Sequence, residues 1–515
     1  MKLNRILVVL SVIIIFASTL TGAFCLFSAH RSQTLHATTG VSIQFVEDDR
    51  IFDKIVSSQN PQDLLLKKEN PESWWCKKGT TVSIDASIQD GYIFEGWYHN
   101  DVKISDTLQT DYMIEGYTLL SAHLSPIDES EDSSNTIAFA IYSADDHSLS
   151  FYKQSSLPNV GETYHNKTVT AIYPDIEAMD ISGTKNIPWY KDYAKSILIV
   201  DVVDKIRPIN ISYWFYNMNN CDTFYLENLD TSQVSSMKYT FYSVATTASS
   251  LVLDLNHWDT SNVTAMTRMF NGAGKKAKTL HLNLSSWNTS NVTDMSYMFY
   301  ETGQFSTSWT VKDLSTKVLS REDGSSYLAW EVSSVTNMLA MFACVGEGAE
   351  EFILDIHNWN ISSIQNLTRM FNAFRRGKEG ALIELDINTK NISLENGISY
   401  TAWDLSGYTG SLYYMFGYAG ESAASFSVDL SNWDVSNVTN MNWMFYGTGQ
   451  NAKSLYLGDL SLWNTGNVTS MDSMFQYTGE NADFSLDLSG WDVSKVTSYA
   501  GFAYGTGTNI ILPNF

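Results

Sequence analysis

Residues 433–447 read Trp-Asp-Val-Ser-Asn-Val-Thr-Asn-Met-Asn-Trp-Met-Phe-Tyr-Gly, and similar runs start at Trp258, Trp287, Trp463 and Trp491. Aligned on this tryptophan, the chain repeats at Trp258, Trp287, Trp330, Trp359, Trp403, Trp433, Trp463 and Trp491, with separations of 29, 43, 29, 44, 30, 30 and 28 residues. The two long steps equal one unit plus about 14 residues, an insertion that a repeat array carries as a loop on one side. Leu229 continues the register 29 residues before Trp258. A fixed period of this length decides the architecture before any single motif does.

Each position in the unit has one chemistry. Leu253-Asp254-Leu255, Leu282-Asn283-Leu284, Val428-Asp429-Leu430 and Leu486-Asp487-Leu488 alternate apolar and polar residues, which predicts a short strand with one face inward. The runs at 259–264, 288–293 and 434–439 follow, rich in Asp, Asn and Ser, which bond their own backbone and make turns. Their valines (Val263, Val292, Val438, Val468) point inward in this reading. Thr264, Thr293, Thr439 and Thr469 then stand where they would cap a short helical turn. Met266 and Met269, like Met295 and Met298, are three apart and share a helical face. Glycines such as Gly447 and Gly449 close the unit, where positive φ is cheap.

One unit cannot bury these side chains alone, but stacking gives each an identical neighbour. Trp258, Trp287, Trp359, Trp433, Trp463 and Trp491, with Met269, Met298, Met370, Met444 and Met474, are therefore the expected structural core. The expected fold is an α+β repeat solenoid, leucine-rich-repeat-like, with one short strand and one short helical turn per unit of ~29 residues. A small β-rich domain precedes it.

The 433–447 unit resembles the BspA-like leucine-rich-repeat surface proteins of bacteria. Upstream, Ala138-Phe139-Ala140-Ile141-Tyr142, Leu149-Ser150-Phe151-Tyr152, Trp189-Tyr190 and Trp214-Phe215-Tyr216 resemble that family's opening module, so the likeness spans 137–515. It implies an exported or surface-attached protein, with adhesion to host or matrix proteins, and carries no agreed ligand residues. Phe502, in place of the first methionine of the last Met-Phe pair, and the degenerate strands of the 330 and 403 units depart from the pattern. Farther upstream, Gly91-Tyr92-Ile93-Phe94-Glu95-Gly96-Trp97 is similar to the internalin B-repeat, a small β module that serves as a spacer or contact point.

The domain reading is 1–36, signal peptide or N-terminal membrane anchor; 37–126, β-rich module; 127–136, acidic serine-rich linker; 137–220, opening or capping module; 221–515, tandem repeats. Lys2 and Arg5 precede the apolar run 6–17, and no charge follows until Arg31. Both fates of the segment stay open, and either places the rest outside the cell. Cys25 lies within it, leaving Cys76, Cys221 and Cys344, an odd number that does not suit a disulfide framework. The formal charge of −24 repels phosphate backbones and argues against a nucleic-acid partner.

The histidines are scattered without zinc-ligand spacing, and no nucleophile elbow or phosphate loop stands in context. The sequence therefore reads as non-enzymatic, without a resident cofactor. One metal candidate remains. Asp429, Asp459 and Asp487 each lie four residues before one of the successive tryptophans Trp433, Trp463 and Trp491, so stacking would set them about 4.8 Å apart. Two carboxylates at that distance repel by about 1 kcal/mol in water, which a Ca²⁺ ion could relieve; salt screening is the competing outcome. The functional expectation is an adhesin-like surface protein engaging extracellular or host proteins, with a structural surface coat as the alternative. An exposed aromatic or charged patch favours the first, and a uniformly polar face the second.

Overall fold

A computed structural model describes residues 40–515 apart from 46–50, 59–63, 70–71, 89–91, 100–101, 106, 115–117, 127–135, 180, 322–323, 378 and 508. The signal or anchor reading of 1–36 and nearly all of the linker at 127–136 fall outside the described residues. The chain divides into two compact units, Met1–Ser134 and Asn135–Phe515.

The described residues of the first unit build only strands: β1 (Gly40–Phe45), β2 (Ile51–Ser58), β3 (Leu64–Glu69), β4 (Glu72–Lys77), β5 (Thr80–Ile88), β6 (Tyr92–His99), β7 (Val102–Ser105), β8 (Thr110–Ile114) and β9 (Thr118–Pro126). One sheet runs β3-β4-β1-β9-β6-β7, the other β2-β5-β8. Alternation along β5 turns Val82, Ile84 and Ala86 inward, and they join Ile43, Trp74, Cys76, Trp97, Ile114 and Leu120 in one core. Trp97 fixes its ring by donating Nε1–H to the Leu108 carbonyl at 3.0 Å.

The second unit opens with an antiparallel hairpin, Ile137–Ser143 against Ser148–Gln154. Ile199–Val202 then joins parallel to 148–154, and Thr223–Tyr225 joins parallel to that. From this point the chain winds in coils, each adding one strand beside the last. Ser250–Asp254, Thr279–Asn283, Ser308–Lys312 and Glu351–Ile353 form a parallel ladder. Leu382–Leu385, Ser425–Val428 and Ser454–Tyr456 form another. A second line of parallel bridges runs Ser236, Ala265, Asp294, Asn337, Asn366 on the far side of the coils.

Between the two lines lies a single core. Its phenylalanines stack nearly face to face, for example Phe241–Phe270 at 5.3 Å and 5° and Phe270–Phe299 at 5.6 Å and 4°. Trp258, Trp287, Trp330, Trp359, Trp403 and Trp433 stack in turn at 6.1–6.5 Å. Trp258, Trp287, Trp359, Trp433, Trp463 and Trp491 are at most 4% exposed, and Met269, Met298, Met370, Met444 and Met474 are fully buried. From Trp287 onward each indole donates to a carbonyl of the preceding coil, as Trp287 to Leu255 at 2.8 Å and Trp491 to Leu460 at 2.8 Å.

The α+β solenoid expectation is corrected by the segment that follows the threonine. Among the described residues the one α-helix is Tyr190–Tyr193, four residues in the opening module; no coil contains one. Spacing of three fits an i→i−3 turn as well as a helix, and turns are what form: Met269, Asn271 and Ala273 donate N–H to Met266, Arg268 and Phe270. The alternate amides of Met266, Arg268, Phe270 and Gly272 instead reach across to Asp294, Ser296, Met298 and Tyr300 of the next coil. Left-handed φ at Arg268 (+56°), Gly272 (+68°) and Gly274 (+56°) turns these amides outward and forbids a helix. The threonines cap nothing helical: Thr264 gives both its amide and its hydroxyl to the Ser235 carbonyl of the preceding coil. The result is a β-rich stack of turn-built coils carried by several small sheets.

The two long insertions are β-hairpins, Lys317–Ser320 with Ser326–Ala329 and Lys390–Ser393 with Ser399–Ala402. They are built alike. Lys317 pairs with Asp313 and Lys390 with Asp386, both at 2.7 Å. Tyr327 and Tyr400 pin the hairpins to the Ser286 and Asn358 carbonyls.

Candidate functional site

The turn segment has an inner and an outer side. In Met266-Thr267-Arg268-Met269-Phe270 the two methionines and the phenylalanine go inward, and Arg268, in left-handed conformation, stays partly exposed. The same place in other coils is held by Tyr213, Tyr239, Tyr297, Ala340, Arg369, Tyr414, Trp443 and Ser473, all with φ between +51° and +63°. A bulky L-residue pays roughly 1–2 kcal/mol for that conformation, which glycine would avoid. A second left-handed place recurs in the coils at Asn217, Ser243, Glu301, Cys344 and Tyr418, so the conformation belongs to the turn geometry; what the first place adds is a run of aromatic and guanidinium side chains on the outer side.

The face is ordered by ring-to-ring contact. Tyr213 stacks on Tyr239 at 4.6 Å and 9°, and Tyr216 on Tyr242 at 4.7 Å and 14°. The Arg268 guanidinium lies 4.0 Å from the centre of the Tyr297 ring and 6.0 Å from that of Tyr239, so it links the two tyrosines as a cation between π faces. Ala340 and Ala343 interrupt the series, and a second group follows. Arg369 sits 5.5 Å from Tyr414, Tyr414 lies 5.8 Å from Trp443, and Trp443 4.7 Å from Tyr446. Burial raises the Tyr213 and Tyr216 phenols, and pushes Tyr446 up to about 12. The hydroxyls therefore remain neutral donors and acceptors at physiological pH.

Beside the first group, the loop 182–186 and the rings of Tyr213, Tyr216 and Tyr239 line an open groove of about 520 Å³. The loop is a single 3₁₀ turn, Thr184–Asn186, held between buried Ile181 and Ile187. Asn210 of the following coil ties it down through the Ile181 carbonyl at 3.4 Å.

The three aspartates considered as a Ca²⁺ column each serve their own turn. Asp429 accepts from the Ser431 amide and hydroxyl, Asp459 from the Ser461 amide, and Asp487 from the Ser489 amide and hydroxyl. Hydrogen bonds from Ser461 and Ser489 hold the Asp459 and Asp487 carboxyls below their usual range. Their stacking is also uneven. The residue packed against Asp429 is Gly458, where a Cβ would come within 2.4 Å of Oδ1; Asp459 is displaced by one position and donates its amide to Ser431 Oγ. Among the described residues no group of three or more His, Cys, Asp or Glu side chains is placed to hold a metal. Cys221 and Cys344 are free thiols.

A family profile, described as "Mycoplasma protein of unknown function, DUF285", matches residues 209–323, 324–392 and 410–508, more than half of the chain. The chain belongs to this family. Its three matched segments cover most of the stack of coils and the first hairpin; the gap at 393–409 holds most of the second hairpin. No curated protein and no solved structure matches the chain. The resemblance to BspA-like leucine-rich repeats and to the internalin B-repeat is thereby corrected. The DUF285 unit shares the short apolar strand with leucine-rich repeats, but completes its coil with left-handed turns. Among the described residues no helix has the length and apolarity to cross a membrane; the anchor expected at 1–36 lies outside them.

Proposed function

We propose that this DUF285 protein is a non-enzymatic binding protein of the cell exterior, adhesin-like, whose tyrosine–arginine–tryptophan face engages extracellular or host proteins. The observation that carries the reading is the left-handed column, where Tyr213, Tyr239, Arg268, Tyr297, Arg369, Tyr414 and Trp443 recur at one place in successive coils. Tyr, Trp and Arg are the residues on which interface energy concentrates. Here they are partly exposed, pre-stacked and fixed to a rigid scaffold, so little side-chain entropy remains to be lost on binding. Repetition also lets one partner touch several coils at once.

The test is a screen of the full-length protein against immobilised extracellular-matrix and serum proteins, with a Tyr239→Asn/Trp443→Gly variant alongside. A partner that binds the native protein and loses affinity for the variant supports the reading. Equal binding by both proteins assigns recognition elsewhere.

A further inference from the structure

We infer that the groove between the loop 182–186 and Tyr213 is a carbohydrate site that takes an acidic pyranose, so that the partner is recognised in part through its glycan. The inference rests on the proposal that this face binds, and gives that face a ligand class.

Four features of the groove lead there. Its volume, about 520 Å³, suits two or three sugar rings. Its floor is aromatic and already placed: Tyr239 covers one face of Tyr213, and among the described residues no ring stacks on the other. The face of an aromatic ring is its negative pole and accepts the polarised C–H groups of a pyranose. Its wall is hydroxyl and amide, from Ser182, Thr184 and Asn186, the donors and acceptors that sugar hydroxyls require. Ser182 Oγ donates to Asn186 Oδ1 at 3.3 Å, so part of this polar wall is already held in place.

The charge in the groove selects further. Lys185 is its one cation, is exposed, and makes no ion pair among the described residues; no carboxylate is among the described lining groups. In a chain of net charge −24 a polyanion is repelled overall, but a single carboxylate beside Lys185 is met. The Tyr213 and Tyr216 phenols, raised by burial, add no negative charge. One carboxylate, several hydroxyls and an apolar ring face together describe a uronic or a nonulosonic acid at the end of a glycan.

Saturation-transfer NMR and calorimetry on the full-length protein test this with 3′-sialyllactose, a hyaluronan tetrasaccharide and neutral lactose. At least one acidic sugar is expected to bind, and to bind roughly fivefold better than lactose, the range of one exposed ion pair. Which acidic sugar binds distinguishes the two sources of the carboxylate. Lys185→Glu should erase the preference for acid. Tyr213→Asn, whose side chain tolerates left-handed backbone, should abolish binding, whereas Tyr213→Phe and the strand-side Tyr456→Asn should retain it. No binding by any probe, or equal binding of lactose and the acidic sugars, overturns the inference. So does undiminished affinity for a protein partner stripped of its glycans, an outcome that leaves the proposed function standing.

Discussion

The Trp463 indole donates its Nε1–H to the carbonyl of Leu430, one coil away, at 3.0 Å. The same bond recurs from Trp287 to Trp491, so the tryptophan column both fills the core and pins each coil to the one before. The two roles are separable. Trp463→Ala should cost about 3–5 kcal/mol through the cavity it opens. Trp463→Phe keeps most of the volume and should lose about 1 kcal/mol for the missing bond, apart from any repacking. Chemical denaturation of both variants checks this; an unchanged midpoint for Trp463→Ala would remove the ring from the core.

Trp258 breaks the pattern. By the spacing of Trp287 and Leu255 its acceptor should be the Leu226 carbonyl, but His257 Nε2 approaches that oxygen at 3.1 Å, and Trp258 Nε1 is buried without a partner. His257→Ser, which supplies the residue found at Ser286, frees the carbonyl. The expected outcome is a gain of up to about 1 kcal/mol, read from thermal melts. A clear loss of stability would mean that the histidine bond is worth more than the indole bond it displaces.

Left-handed positions differ in what they tolerate. At Gly303 (φ +52°) a Cβ would lie 2.6 Å from Trp309 and 2.7 Å from Leu280, so Gly303→Ala should destabilise by about 1–3 kcal/mol. Trp443 shares the conformation (φ +61°) but points outward. Trp443→Gly should hold stability within about 1 kcal/mol, because released backbone strain offsets lost ring contacts. Comparing the two melts separates a folding position from a contact position.

Much of this was legible in the sequence, because a stacked core must repeat the same residue in register. That logic found the Trp, Met and Phe columns and their period. It read the path of the backbone less well. Met266 and Met269 are three apart in a helix and in a chain of i→i−3 turns alike, and Tyr, Arg and Trp give no local hint of left-handed backbone. The face itself could have been found: in Met-Asn-Trp-Met-Phe-Tyr (441–446) two of the three residues left over once the core is assigned, Trp443 and Tyr446, are aromatic. The hairpins also carried a sign, Asp323-Gly324 and Asn396-Gly397, both turn-forming pairs. The uneven aspartate column was hidden by one extra residue, Gly458.

Glu347 predicts a pH dependence. Burial raises its carboxyl above the ordinary value, against a hydrogen bond from Gln304 that lowers it. The folded protein therefore holds this proton more tightly than the unfolded chain. Stability from this group is full below the unfolded value of 4.5 and falls as pH rises through the raised folded value. Glu347→Gln should flatten that part of the stability–pH curve and favour the variant at neutral pH. Parallel curves for variant and native protein would show that the carboxyl is not perturbed.

In the proposed function the turn-built side of the stack, not its strand side, meets the partner. Hydroxyl-radical footprinting of the bound and free protein reads this directly, because both sides carry aromatic reporters. Tyr239, Trp443 and Tyr446 lie on the turn side, and Tyr225 and Tyr456, each 53% exposed, on the strands. The account predicts that partner binding protects at least one of the first three and leaves Tyr225 and Tyr456 unchanged; protection of Tyr225 or Tyr456 with the turn-side residues unaffected would contradict it.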